Sequence, residues 1–115
     1  MPTEPFVYIL ASRRHGTLYI GVTSDLVGRL HQYRTGTKPW FVADHKVYRL
    51  VHFEEFADMD RAIAREKQLK NWRRSWKIAL IGKGNPFWED RAIELGFEAL
   101  PPHPATFSPN SSSRA

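Results

Sequence analysis

The sequence predicts an α+β domain, a small three-stranded antiparallel sheet flanked by helices. Three observations carry that prediction. Two short runs rich in β-branched and aromatic residues, FVYILA at 6–11 and TLYIGV at 17–22, are divided by SRRHG. A third such run, VYRLVHFEEF, follows at 47–56, and from Met59 the apolar residues change to a helical period.

Taken in order, the first two runs form a hairpin. The glycine of SRRHG can close its turn, and pairing Ala11 with Gly16 across a loop at 12–15 sets Tyr8 directly opposite Tyr19 on one face. A one-residue slip would put the two rings on opposite faces. Ser24 or Thr23 then caps a helix, with Asp25 in its first turn, where a carboxylate suits the dipole, and with Gly36 as its end. Residues 37–46 read as a loop. The third strand returns beside the hairpin. A helix from Met59 to Asn71 or Trp72 is followed by a shorter one over 75–81, a break at GKGNP and a last short helix within WEDRAIEL.

The 115 residues close on PPHPATFSPNSSSRA, rich in Pro and Ser with almost nothing to bury. One folded domain is therefore expected over 5–96 and a disordered tail over 97–115. A formal charge of +5 favours a polyanionic partner. With no cysteine there is no disulfide and no thiolate metal site, and nothing calls for an oxidising compartment. MPTEP lacks the basic start of a signal peptide and no apolar run is long enough for a membrane span, so a soluble, cytoplasmic protein is expected. The five histidines make no helical pair, and no phosphate-binding glycine loop, nucleophile elbow or dinucleotide fingerprint is present.

The residues with chemical potential fall into three groups. Arg29 and Tyr33 are one helical turn apart and share a face beside the stripe of Leu26, Leu30 and Val27, whereas His31 points away and is left out of the site. The strand tyrosines Tyr8 and Tyr19 form a second pair. On the helix from Met59, the residues Met59, Ala62, Ile63 and Leu69 form one stripe with Glu66 near its centre. A carboxylate buried there needs a cation, either a metal or a Lys or Arg side chain. Around it eight basic residues lie between 61 and 83, with Glu66 the only acid in the span. A one-signed stretch of this kind suits phosphates, with Lys67, Lys70, Arg73, Arg74 and Lys77 as candidate contacts and Lys38 as another in the loop. Trp72 and Trp76, interleaved with these charges, are expected in the core rather than as base-stacking platforms.

Tyr8, then Tyr19-Ile20-Gly21, then Arg29 and Tyr33, with a helical Glu66 further on, resembles the GIY-YIG nuclease family. The second signature triplet is intact, and the first is degenerate as Phe6-Val7-Tyr8 but keeps its tyrosine. The resemblance spans roughly residues 5–90 and is closest to the small bacterial members built of this domain alone. It implies the three-stranded antiparallel fold and endonucleolytic cleavage of DNA with one divalent metal, Mg²⁺ or Mn²⁺, and no organic cofactor. By position it implies Tyr8 as the general base, Tyr19 as an orienting phenol, Arg29 on the scissile phosphate, Tyr33 as a neighbouring aid and Glu66 as the metal ligand. Asn85 corresponds to an asparagine that many members carry near the metal, and Val22 stands where repair members often have a polar or basic residue.

A phenol with a pKa of about 10 is a poor base unless positive charge lowers that value. The resemblance thus implies a metal-dependent DNA endonuclease, structure-selective in repair or recombination, with DNA as partner and RNA as its rival. The alternative is a nucleic-acid-binding module of the same fold with little or no cleavage activity. A third reading is an adaptor whose basic stretch docks on an acidic protein.

Overall fold

The computed structural model describes residues 4–34 and 49–98. Strands β1 (Phe6–Ala11), β2 (Leu18–Thr23) and β3 (Arg49–Glu55) form one antiparallel sheet in the order β2-β1-β3. Helix α1 (Leu26–Arg34) follows β2; helices α2 (Met59–Asn71) and α3 (Arg74–Gly84) and a 3₁₀ helix (Arg91–Leu95) follow β3. The α+β class and the three-stranded antiparallel sheet match expectation. Gly36, Lys38 and the loop expected at 37–46 lie outside the described residues, as does the tail from 99 onward.

The hairpin register differs from the expected one by two residues. Ala11 pairs with Leu18, Tyr8 with Gly21 and Leu10 with Tyr19. The reason is a wider loop at 12–17, closed by Ser12 N–H donating to Thr17 O and Thr17 N–H donating to Ser12 Oγ, each at 3.0 Å. Within it Gly16 N–H donates to Arg13 O at 2.9 Å and His15 takes a positive φ of 58°, a conformation uncommon for a residue with a Cβ. An even shift preserves the faces, so Tyr8 and Tyr19 share one face as expected, though diagonally rather than directly opposite.

Because β1 is central, its side chains alternate between two cores. Val7, Ile9 and Ala11 pack with Ile20, Val51, Ala62, Leu69, Ile81 and Trp88, while Tyr8 and Leu10 pack with Leu26, Leu30, Tyr33, Leu50 and Ala92. Helix α2 thus covers one face and α1 the other. Val27, expected in the α1 stripe, is 41% exposed. Asp25 lies just before α1 as its cap instead of in its first turn, with Oδ1 accepting from Gly28 N–H at 3.0 Å. Asp58 caps α2 in the same way, through Arg61 N–H at 2.9 Å.

Long-range polar clamps hold the periphery. Asp90 receives both Arg34 contacts, at 3.0 and 2.9 Å, together with Leu50 N–H and Ala92 N–H, so one carboxylate joins α1, β3 and the 3₁₀ helix. Asn85, buried, donates to Val51 O at 3.1 Å and Glu89 O at 2.8 Å and accepts from Glu89 N–H at 3.0 Å. The donation to Val51 O falls where the β1–β3 ladder shifts register, between Ile9 opposite His52 and Leu10 opposite Leu50. Phe97, placed beyond the domain by the expected boundary at 96, stacks on His31 at 4.7 Å and lies 5.1 Å from the Arg34 guanidinium, so it packs with the fold.

On β3, Glu54 accepts from Arg65 at 2.9 and 3.1 Å and contacts His52 at 2.8 Å. The hydrogen bonds from His52 and then Arg65 hold its carboxyl down at about 2, against an ordinary 4.5. A depressed folded-state pKa contributes stability that is present above the unfolded value and is lost as pH falls through the folded one. The urea midpoint is therefore expected to drop between about pH 4.5 and pH 2, and Glu54→Gln to flatten that part of the profile. An unchanged slope in the variant would assign the acid sensitivity to other carboxylates.

Candidate active site

Gly21 makes room for Tyr8. The two residues are cross-strand partners, and a Cβ at Gly21 would overlap the Tyr8 phenol. The ring therefore lies over bare backbone, with Tyr8 only 1% exposed. Tyr19 stands beside it on β2, with ring centroids 6.4 Å apart. From α1, Tyr33 leans in, its ring 6.1 Å from Tyr8 and 6.0 Å from Tyr19, and the hydroxyls of Tyr8 and Tyr33 are hydrogen-bonded to each other. Arg29, one turn earlier on α1, is half-buried and its charge acts on both Tyr8 and Tyr33. Among the described residues no carboxylate forms an ion pair with it.

Burial dominates the electrostatics of this cluster. It pushes the Tyr8 phenol far above its ordinary range, reinforced by the hydrogen bond and charge of Tyr33, and Arg29 pulls the other way without overcoming it. Tyr33 is pushed up to about 12, again chiefly by burial. Both phenols are neutral near pH 7 and can pass a hydrogen bond between them. What the arrangement offers is a guanidinium for an anion, next to a connected pair of hydroxyls.

Glu66 is placed differently. Its helix packs through Ala62 and Leu69 on the Val7 and Ile9 face, opposite the phenols. The side chain is 15% exposed, and Lys70 Nζ sits 2.9 Å from its Oε2. The cation that a half-buried carboxylate requires is thus, in this structure, a lysine from the next turn. Four of the five expected catalytic residues, Tyr8, Tyr19, Arg29 and Tyr33, come together, whereas Glu66 is carried by the helix packed against the other face of the sheet. Among the described residues no three His, Cys, Asp or Glu side chains gather into a metal-binding group. A lone carboxylate is nevertheless the donor set that suits Mg²⁺, which keeps several waters and takes phosphate oxygens from a substrate. Asn85 has both ends of its amide engaged in the clamp described above, which gives it a structural task.

The basic stretch is partly consumed by the fold. Arg65 is held by Glu54, Lys70 by Glu66, and Arg74 donates to His15 O at 2.7 Å and Gly16 O at 2.6 Å, stapling α3 to the hairpin loop. Lys67 and Arg73 are exposed, Lys77 is half-buried, and Lys38 lies outside the described residues. Trp72 packs against the core as expected. Trp76 does not: it is 50% exposed. Composition could not separate the two, because each has basic neighbours in sequence and only the turn between α2 and α3 sends one inward and the other out.

Comparison with known proteins places these residues in a family. The GIY-YIG catalytic domain model matches residues 4–79, a span that contains Tyr8, Tyr19, Arg29, Tyr33 and Glu66. A UPF0213 protein of Haloquadratum walsbyi is 30% identical over 79 residues, covering 69% of this chain and 88% of that protein. A UPF0213 protein of Staphylococcus saprophyticus is 28% identical over 79 residues, covering 69% and 95%. The solution NMR structure of a UPF0213 protein from Bacillus halodurans aligns with a TM-score of 0.49 and 24% identity over 76% of this chain and 92% of that one. With the family match running through both signature strands and α2, this chain belongs to the GIY-YIG catalytic domain family, a family of nucleases.

Proposed function

We propose that the protein is a cytoplasmic, metal-dependent endonuclease that hydrolyses DNA phosphodiester bonds and selects substrates by structure, in repair or recombination. The observation that supports this reading is the convergence, on one sheet face, of three phenols and a guanidinium that has no acidic partner among the described residues. Arg29 would take the scissile phosphate and stabilise its developing charge. Tyr8 would accept a proton from the attacking water once ionised, with Tyr33 donating a hydrogen bond to the phenolate and Tyr19 orienting the water. Glu66 would hold the divalent ion, whose chemistry is to neutralise phosphate charge and acidify a bound water.

Because burial raises the Tyr8 phenol so far, the ionised base is scarce at neutral pH and grows tenfold with each pH unit. Single-turnover cleavage is accordingly expected to climb with roughly unit logarithmic slope from about pH 6 to pH 9, and Tyr8→Phe to remove the climb. A plateau near neutrality would reject Tyr8 as the base.

The direct test is incubation of labelled linear, branched and single-stranded DNA, and of RNA, with Mg²⁺, Mn²⁺ or chelator, running the wild type beside Glu66→Ala. Cleavage that is lost on chelation and in the variant supports the endonuclease. Tight binding with no cleavage supports the second reading, a binding module of the same fold. The Glu66–Lys70 pair is the feature that favours that rival, because a lysine occupies the carboxylate. The same pair makes a prediction of its own: with Lys70 half-exposed the bond is modest, so Lys70→Met should tighten Mn²⁺ binding by about two- to five-fold in a spin-resonance titration, and Glu66→Gln should abolish the gain.

A further inference from the structure

Four large hydrophobic side chains stand exposed among the described residues: Val27, Trp76, Phe87 and Ile93. Of these, Trp76 lies between basic residues in sequence, Arg73 and Arg74 before it and Lys77 after it, and has a cation against its ring. The Arg73 guanidinium lies 4.8 Å from its ring centroid, Lys77 adjoins it, and Trp72 abuts it edge to face at 5.9 Å and 88°. Trp72 is itself packed against the core and carries Arg65 at 5.1 Å, so the exposed ring has a fixed support behind it. Arg74, between Arg73 and Trp76 in sequence, is stapled to the loop that leads into β2 and Tyr19.

We propose that Trp76 is a stacking platform for an unpaired base, with Arg73 and Lys77 taking the flanking phosphates, so that the ligand of this surface is single-stranded DNA or a single-stranded segment of a branched one. Charge complementarity argues for this occupant: among the described residues no carboxylate pairs with Arg73 or Lys77, whereas Arg65 and Lys70 on α2 are both neutralised. An aromatic face next to cations binds a base through stacking and its backbone through charge, and it does so with any base sequence. A base pair within a duplex offers no open face to the ring. As a statement about which strand is cleaved, the proposal rests on the nuclease reading; as a statement about binding it stands without it.

The test is fluorescence anisotropy in chelator with a labelled oligothymidylate, a blunt duplex of equal length and an abasic oligomer of equal charge. Trp76→Ala should weaken single-strand binding by about 5- to 100-fold while changing duplex and abasic binding less than about twofold. Trp76→Phe should restore most of the loss, because a smaller ring still stacks. Lys77→Ala should weaken all three ligands alike and reduce the salt slope by about one. Equal losses on all three ligands in Trp76→Ala, no loss on any, no binding of single strands by the wild type, or displacement by polyglutamate as effective as by DNA would each overturn the platform, the last in favour of an acidic protein. The two readings fail separately. Trp76-dependent binding without cleavage of any substrate refutes the nuclease and keeps the platform; intact cleavage with an indifferent Trp76→Ala refutes the platform and keeps the nuclease.

Discussion

Arg29→Ala is expected to reduce DNA cleavage by about 10²- to 10³-fold while leaving the thermal midpoint close to that of the wild type. The two halves of the expectation have separate origins. Arg29 is half-buried and makes no ion pair with a described carboxylate, so its loss strands no opposite charge. Its charge, however, opposes burial at Tyr8 and, with the hydrogen bond from Tyr8, at Tyr33, and in the proposed mechanism it holds the phosphate. Removing it is expected to weaken phosphate binding and to make both phenols harder to ionise at once. Alkaline titration at the tyrosinate absorption band provides a check that needs no substrate, since the Tyr33 transition near pH 12 should move up. Arg29→Lys should recover only part of the activity, because an ammonium lacks the planar fork that engages two phosphate oxygens. A variant that cleaves within about threefold of wild type would remove Arg29 from the site.

Gly21→Ala carries the second large expectation. The added methyl would collide with the phenol of Tyr8, which has no slack: it is 1% exposed, with Tyr33 bonded to its hydroxyl. Overpacking at such a position costs about 1–3 kcal/mol, and the ring's displacement should cut cleavage more steeply than the stability loss alone explains. Combined with Tyr8→Phe, which removes the nearest colliding atom, the stability cost should be less than additive. If Gly21→Ala melts like the wild type, the Tyr8–Gly21 pairing itself is wrong. The glycine of the second signature triplet is thus explained by the phenol across from it, rather than by backbone flexibility.

How far the sequence could be read depended on the range of the interaction. The hairpin faces were legible because strand side chains alternate, and an error of two residues leaves that alternation intact. The register was not, because it turns on a loop in which His15, a residue with a side chain, adopts a positive φ. The pairing of Arg29 with Tyr33 on one helical face was legible from spacing, as was the need of Glu66 for a cation. Which cation was not, since Lys70 and a metal ion satisfy the same requirement. Asp90 with Arg34 and Asn85 with Val51 join residues 56 and 34 positions apart, and such clamps leave no local pattern. The outward turn of Trp76 was missed for the same reason: it depends on how α3 leaves α2.

The burial of β1 also bears on how a substrate can arrive. From Val7 to Ala11 every residue is at most 1% exposed, wedged between neighbours above, below and on both sides. Tyr8 therefore cannot swing out to greet a ligand. Its oxygen is shuttered by that of Tyr33, so any group that is to reach it has first to displace a hydroxyl carried by α1, and access to the pocket is set by that helix rather than by the hairpin.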